Sequence, residues 1–219
     1  MTLSLSGWQK RVLLILAAIA VLALFALAFT AGRISAGPSY PGTDSADAGF
    51  ARDMQVHHNQ AVEMSMIVRD SATDETLRAI AYDIALTQQQ QAGQMYAWLE
   101  EWGLGQSSPQ PRMEWMAAGS GDHGGMDMGS GDGASMLTAD GLMPGMATEA
   151  QLEELRAADG EDAERLYLTL MINHHTAGVE MAEAGAELAE TSQVRSLATK
   201  IQSGQQAEIT LMQGMLDAL

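Results

Sequence analysis

Two short stretches carry residue types able to do chemistry. "MQVHHNQAVEM" runs from Met54 to Met64, and "MINHHTAGVEM" from Met171 to Met181. Each sets an adjacent histidine pair between methionines. Imidazole nitrogen and thioether sulfur suit copper, and thioether in particular favours Cu(I). The chain has 16 Met and no Cys. A disulfide, a thiolate zinc site, an iron–sulfur cluster and covalent c-type haem are therefore excluded. On a helix turning about 100° per residue, Phe50, Met54, His57, Ala61 and Met64 fall on one stripe. His58 lies about 100° from His57, which predicts the edge of that stripe. In the second stretch Tyr167, Met171, His174, Gly178 and Met181 share a face, with His175 at its margin. The small residues Ala61 and Gly178 leave room beside the rings.

The two stretches belong to one internal repeat. Met54 pairs with Met171 at an offset of 171 − 54 = 117. The same offset relates Glu63 to Glu180, Ile84 to Ile201, Gln88 to Gln205, Met95 to Met212 and Leu99 to Leu216 without a gap. Each copy reads as two helices, because apolar residues recur at steps of three and four. One hairpin buries little alone, so two related hairpins predict a ferritin-like four-helix bundle with a long crossover between them. On the partner helices Gln88, Met95, Gln205 and Met212 fall on the inward stripe. The expected interior holds His57, His174 and six methionines (Met54, Met64, Met95, Met171, Met181 and Met212), with His58 and His175 at the rim. Gln88, Gln205 and Glu208 are expected to hydrogen-bond the ligands rather than act as ligands. A di-iron bundle needs Glu-x-x-His, but here the residue three before each first histidine is Met54 or Met171. That replaces a hard carboxylate with a soft thioether and points away from oxygen chemistry at iron.

The organisation around the repeats follows from composition. Residues 1–11 form a short basic segment ending in Lys10 and Arg11, and residues 12–31 are apolar chain apart from Thr30. Such a run of about 20 residues spans roughly 30 Å, the thickness of a bilayer core. It is expected to be an uncleaved single-pass anchor in the cytoplasmic membrane with the C-terminal domain outside. Secretion after cleavage is the alternative. Residues 32–43 read as a linker and 44–219 as the bundle domain. That domain comprises repeat one at 44–103, a Met/Gly-rich crossover at 104–146 and repeat two at 147–219. The crossover is expected to be flexible. Within it "HGGMDM" sets His123, Met126 and Met128 close together as a secondary metal-collecting group. Thr148 followed by Gln151 is a capping-box pattern. With 28 acidic residues against 11 basic and a net charge of −17, nucleic acid is excluded as a partner. No protein partner is implied.

The pattern of an aromatic residue, Met-x-x-His-His, a small residue and Glu-Met resembles a bacterial family known as domain of unknown function 305. Here it stands as "FARDMQVHHNQAVEM" and "YLTLMINHHTAGVEM", with the lead-in "PGMATEAQLEELRAADG" before the second copy. The resemblance covers roughly residues 47–219 and implies an exported, ferritin-like bundle that binds copper and serves copper tolerance. It assigns the motif positions Met54, His57, His58, Met64, Met171, His174, His175 and Met181. One departure stands out: Gln91 occupies the place that Glu208 takes in the second copy. The expected function is a copper sink or carrier without catalytic role, for Cu(I) first and Cu(II) second. Two alternatives are a copper redox enzyme oxidising Cu(I) and a metal-free interaction module on a membrane stalk.

Overall fold

The computed structural model describes residues 6–35, 39–117 and 136–219. It divides into two units, Met1–Tyr40 and Pro41–Leu219. The first contains α1 (Gly7–Ser35). Its stretch Gly7–Arg33 is long and apolar enough to cross a membrane. The side chains of Leu14, Phe25 and Phe29 on it are exposed.

All described elements of the second unit are helical. The first hairpin is α2 (Ala46–Ser71) and α3 (Glu75–Glu101); the second is α6 (Gly160–Leu188) and α7 (Ser192–Leu216). Two short helices, α4 (Glu114–Ala117) and α5 (Glu149–Ala157), lie between them. Side-chain caps begin the helices where the sequence allows. Ser45, Asp74 and Thr191 each accept a hydrogen bond from the backbone three residues on. Thr148 and Gln151 form the expected reciprocal capping box of α5. Within each hairpin the helices pack on each other, and α2 against α6 joins the hairpins.

The core is split in two, and the repeat offset exchanges its parts. One cluster gathers Phe50, Met54 and Met95 from the first repeat with Met181, Val194, Ala198 and Ile201 from the second. The other gathers Tyr167, Met171 and Met212 with Met64, Leu77, Ala81 and Ile84. Adding or subtracting 117 converts either set into the other. Neither repeat therefore owns a core; each contributes half of both.

Two carboxylates lock this arrangement, and they too are related by 117. Asp47, at the start of α2, accepts hydrogen bonds from Glu190 N, Thr191 N and the Thr191 hydroxyl, at 2.8, 2.9 and 2.6 Å. Glu164, in the first turns of α6, accepts from Thr73 N, the Thr73 hydroxyl and Asp74 N, at 2.7, 2.9 and 2.8 Å. Each clamps the turn of the other hairpin at the positive end of a helix. Replacing either by Ala strands backbone donors and removes three charge-assisted bonds. We expect a loss of about 3 kcal/mol for each, or roughly 6–12 °C in melting temperature. The clamps grip opposite ends of α2, a helix about 39 Å long, so Asp47→Ala and Glu164→Ala should add in the double variant. Thermal melts of the three variants test this.

The crossover departs from expectation. Residues 104–146 read as flexible, yet both described ends pack on the bundle. Met113 and Met143 are fully buried in the cluster around Phe50. Trp115 meets Phe50 edge-on with ring centroids 5.8 Å apart. Met113 N and Trp115 Nε1 both donate to the buried carboxylate of Asp53. The low-complexity average over 104–146 concealed these apolar anchors. His123, Met126 and Met128 lie outside the described residues.

Candidate metal centre

Between the two apolar clusters lies a polar layer. His57 and His58 sit midway along α2, Gln88 midway along α3, His174 and His175 midway along α6, and Gln205 midway along α7. All six are buried, the four histidines completely. His57 and His174 stack across the join between the repeats, with ring centroids 3.7 Å apart and planes 29° from parallel. The His174 and His175 rings are 6.1 Å apart.

Each ring is held by one nitrogen. His57 Nε2 lies 3.3 Å from Pro144 O, and His174 Nε2 2.9 Å from His57 O. His58 Nε2 is 2.8 Å from Gln91 Oε1, and His175 Nε2 is 2.8 Å from Glu208 Oε2. The backbone oxygens of Pro144 and His57 and the carboxylate of Glu208 can only accept, so the Nε2 of His57, His174 and His175 carries the proton and donates; His58 Nε2 does the same when Gln91 turns its amide oxygen toward the ring. The lone pair is left on Nδ1. In all four rings Nδ1 is buried and has no hydrogen-bond partner. Both amide atoms of Gln88 and of Gln205 share that condition. Eight of the nine such side-chain atoms among the described residues lie in this one layer. Leaving a buried polar atom unsatisfied costs about 1–3 kcal/mol, so their concentration here makes this layer the candidate site.

The electrostatics keep the lone pairs available. Burial pushes His57 down to about 3, helped by the neighbouring His58 and His175. Burial likewise pushes His58 down to about 4, and burial with the like charges of the other three holds His174 well below its usual range. These three rings are neutral at physiological pH, the form in which imidazole binds metal.

A strap of the crossover covers the layer. Besides the Pro144 contact, Gln60 forms two hydrogen bonds with the backbone of Ala147, at 2.9 and 2.7 Å. Between these anchors Gly145 has φ +75°, and a Cβ there would lie 2.8 Å from Asn173 O and 2.6 Å from the Ala177 methyl. Only glycine lets the strap lie this close to His174.

Against the sequence reading, all six inward methionines are fully buried, but in threes: Met54, Met95 and Met181 on one side of the layer, Met64, Met171 and Met212 on the other. Two expectations are corrected. His58 and His175 are not at the rim; they are fully buried because their side of α2 and α6 faces the partner helix of the same hairpin. Gln88 and Gln205 do not hydrogen-bond the histidines; that role falls three residues further on, to Gln91 and Glu208. Gly178 makes room for the Gln205 amide rather than for an imidazole. Sequence reasoning also missed Pro144, Gln60 and the Asp47 and Glu164 clamps. The offset of 117 pairs Asp47 with Glu164 and was the available signal. Glu63 lies outside the layer, paired with Arg156.

Fold and site together define a duplicated, ferritin-like four-helix bundle with a histidine layer at its middle. The chain belongs to the family described as domain of unknown function (DUF305), whose profile matches residues 47–216. It is similar to a DUF305 protein from Streptomyces coelicolor at 44% identity and a TM-score of 0.69, covering 81% of this chain and 95% of that one. A DUF305 fragment from Deinococcus radiodurans is 29% identical with a TM-score of 0.61, covering 83% and 100%. CopM in its Cu(II)-bound form is 24% identical with a TM-score of 0.55, covering 80% and 97%; at that identity the likeness is one of fold. No curated protein matches the chain.

Proposed function

We propose that this protein binds copper outside the cytoplasm and acts as a sink or carrier in copper tolerance, without a catalytic role. The observation that carries the reading is the set of four buried imidazoles, each anchored through Nε2 and each with an Nδ1 that has no hydrogen-bond partner. Among the described residues no three His, Asp or Glu side chains are grouped to hold one ion. An ion held here would draw on the imidazoles, with thioether and amide groups as the further donors that the bundle interior offers. Such mixed nitrogen and sulfur donation suits Cu(I), and the imidazoles also accommodate Cu(II). The fold neighbour CopM is described in Cu(II)-bound, Cu(I)-bound and Ag-bound forms, which supports the reading. The segment around His123, Met126 and Met128 is a secondary collector in this scheme.

The apolar α1 anchors the protein, with Lys10 and Arg11 on the cytoplasmic side and the bundle beyond the membrane. The Streptomyces coelicolor relative carries the working description of a secreted protein, which fits export. A thermal melt tests the copper reading. A ligand that binds only the native state at 100 times its Kd stabilises by about 2.7 kcal/mol. We expect a clear rise in melting temperature with Cu(I), a smaller one with Zn(II), and stoichiometric copper in the purified protein. Identical melts with and without copper would favour a metal-free interaction module instead.

A further inference from the structure

We infer that the two halves of the histidine layer are unequal, and that the half built on His175 and Glu208 takes the first copper ion. Glu208 is then a positioning residue, acting on the metal through His175. The inference deepens the copper reading and rests on it.

The repeat relation makes the comparison internal. Gln91 and Glu208 stand at equivalent positions, 208 − 91 = 117, and each is 33 residues beyond the histidine it holds. Both contacts measure 2.8 Å and both histidines are fully buried. The difference is chemical. A carboxylate offers oxygen at both ends, so His175 Nε2 must carry the proton whichever oxygen it meets. In the neutral ring the lone pair therefore lies on Nδ1. An amide offers oxygen at one end and NH2 at the other, in nearly the same shape. With Gln91 Oε1 toward the ring, His58 matches His175. With the amide turned over, His58 Nε2 accepts and Nδ1 carries the proton, and that tautomer has no lone pair for a metal at Nδ1. Ligation on the His58 side must therefore select one of two states, whereas His175 is held in the competent one. The carboxylate also makes its imidazole a stronger donor, as carboxylate–histidine–metal arrangements do. Both effects favour the same half.

Removal of such an outer partner typically lowers metal affinity 10–100-fold. The experiment uses the full chain in detergent micelles, as wild type, Glu208→Gln, Gln91→Glu and the exchanged double variant. In the metal-free protein, 15N chemical shifts of the histidine rings report the tautomers. His175 should be purely Nε2–H in the wild type and mixed in Glu208→Gln, and Gln91→Glu should drive His58 to a single tautomer. Competition titration with Cu(I) then reads the binding steps. The wild type should show two steps separated at least tenfold, and Glu208→Gln should weaken the first about tenfold. Gln91→Glu should draw the second toward the first, and the exchanged variant should restore the separation. These near-isosteric changes sit on half-buried positions, and the exchanged variant controls for loss of fold. Copper binding in which Glu208→Gln leaves both the steps and the His175 tautomer unchanged overturns this inference alone. A wild-type chain that takes up no copper overturns the copper reading and the ordering with it.

Discussion

A chain carrying both His57→Ala and His174→Ala should lose its tightest copper site, with affinity falling by more than about 100-fold. Loss of an outer hydrogen-bond partner alone costs a metal site 10–100-fold, and here two proposed ligands are removed. The pair is shared between the two repeats. The two rings stack at 3.7 Å across the join between the repeats, and His174 Nε2 donates to the backbone of His57. The fold should survive. Truncating a large buried side chain leaves a cavity costing several kcal/mol, while deleting two unpartnered Nδ1 atoms removes a penalty of about 1–3 kcal/mol each. Leucine at both positions fills more of the space and should abolish binding with a smaller drop in melting temperature. Competition titration with Cu(I), alongside circular dichroism to establish folding, checks the outcome. Unchanged affinity in a folded variant would remove these residues from the site.

The second large effect is acid lability of the metal-free protein. An unfolded histidine titrates near 6.5, whereas His57 is held at about 3, His58 at about 4 and His174 well below 6.5 by burial and mutual repulsion. Above pH 6.5 the rings are neutral in both states and contribute nothing to the pH dependence. Below it the unfolded chain binds protons that the native layer refuses, so stability falls as pH drops toward the folded values. The slope reaches about 1.4 kcal/mol per pH unit for each histidine. By pH 4 each of the three has removed on the order of 3 kcal/mol, and together they approach the whole stability of an ordinary domain. The net charge of −17 works in the opposite direction. Acid relieves acidic self-repulsion, so without the histidines the bundle would gain stability over part of this range. Urea unfolding between pH 7.5 and 4.5 should therefore show a steep decline, shallower when His57 and His174 are Leu. Constant stability across that range would mean that the layer opens to water.

How much of this was legible in the sequence varies residue by residue. Helix existence, the capping box at Thr148 and the inward methionines followed from local spacing, because a helix turns by a fixed angle per residue whatever surrounds it. The constant offset of 117 then made two hairpins and hence a bundle. The same angles misplaced His58 and His175. An angle fixes a position around its own helix but not which flank a neighbour covers, and here α3 and α7 close over the sides that looked marginal. Gln88 and Gln205 failed as partners for a related reason. Both face inward, yet whether an amide reaches a ring nitrogen depends on axial stagger, and that stagger favoured Gln91 and Glu208.

The duplication, the four long helices, the apolar N-terminal segment and the soft donor inventory are each written in composition or periodicity. Tertiary structure alone decided that Met54 sits with Met181 and not with Met64. It decided that Pro144 and Gly145 press a strap onto the histidines, and that every imidazole turns Nε2 to an oxygen and leaves Nδ1 free. Those facts arise from how the helices and the crossover pack, within each hairpin and between the two. Contacts across 33, 87 or 117 residues of chain depend on shape and burial together, which no local period encodes.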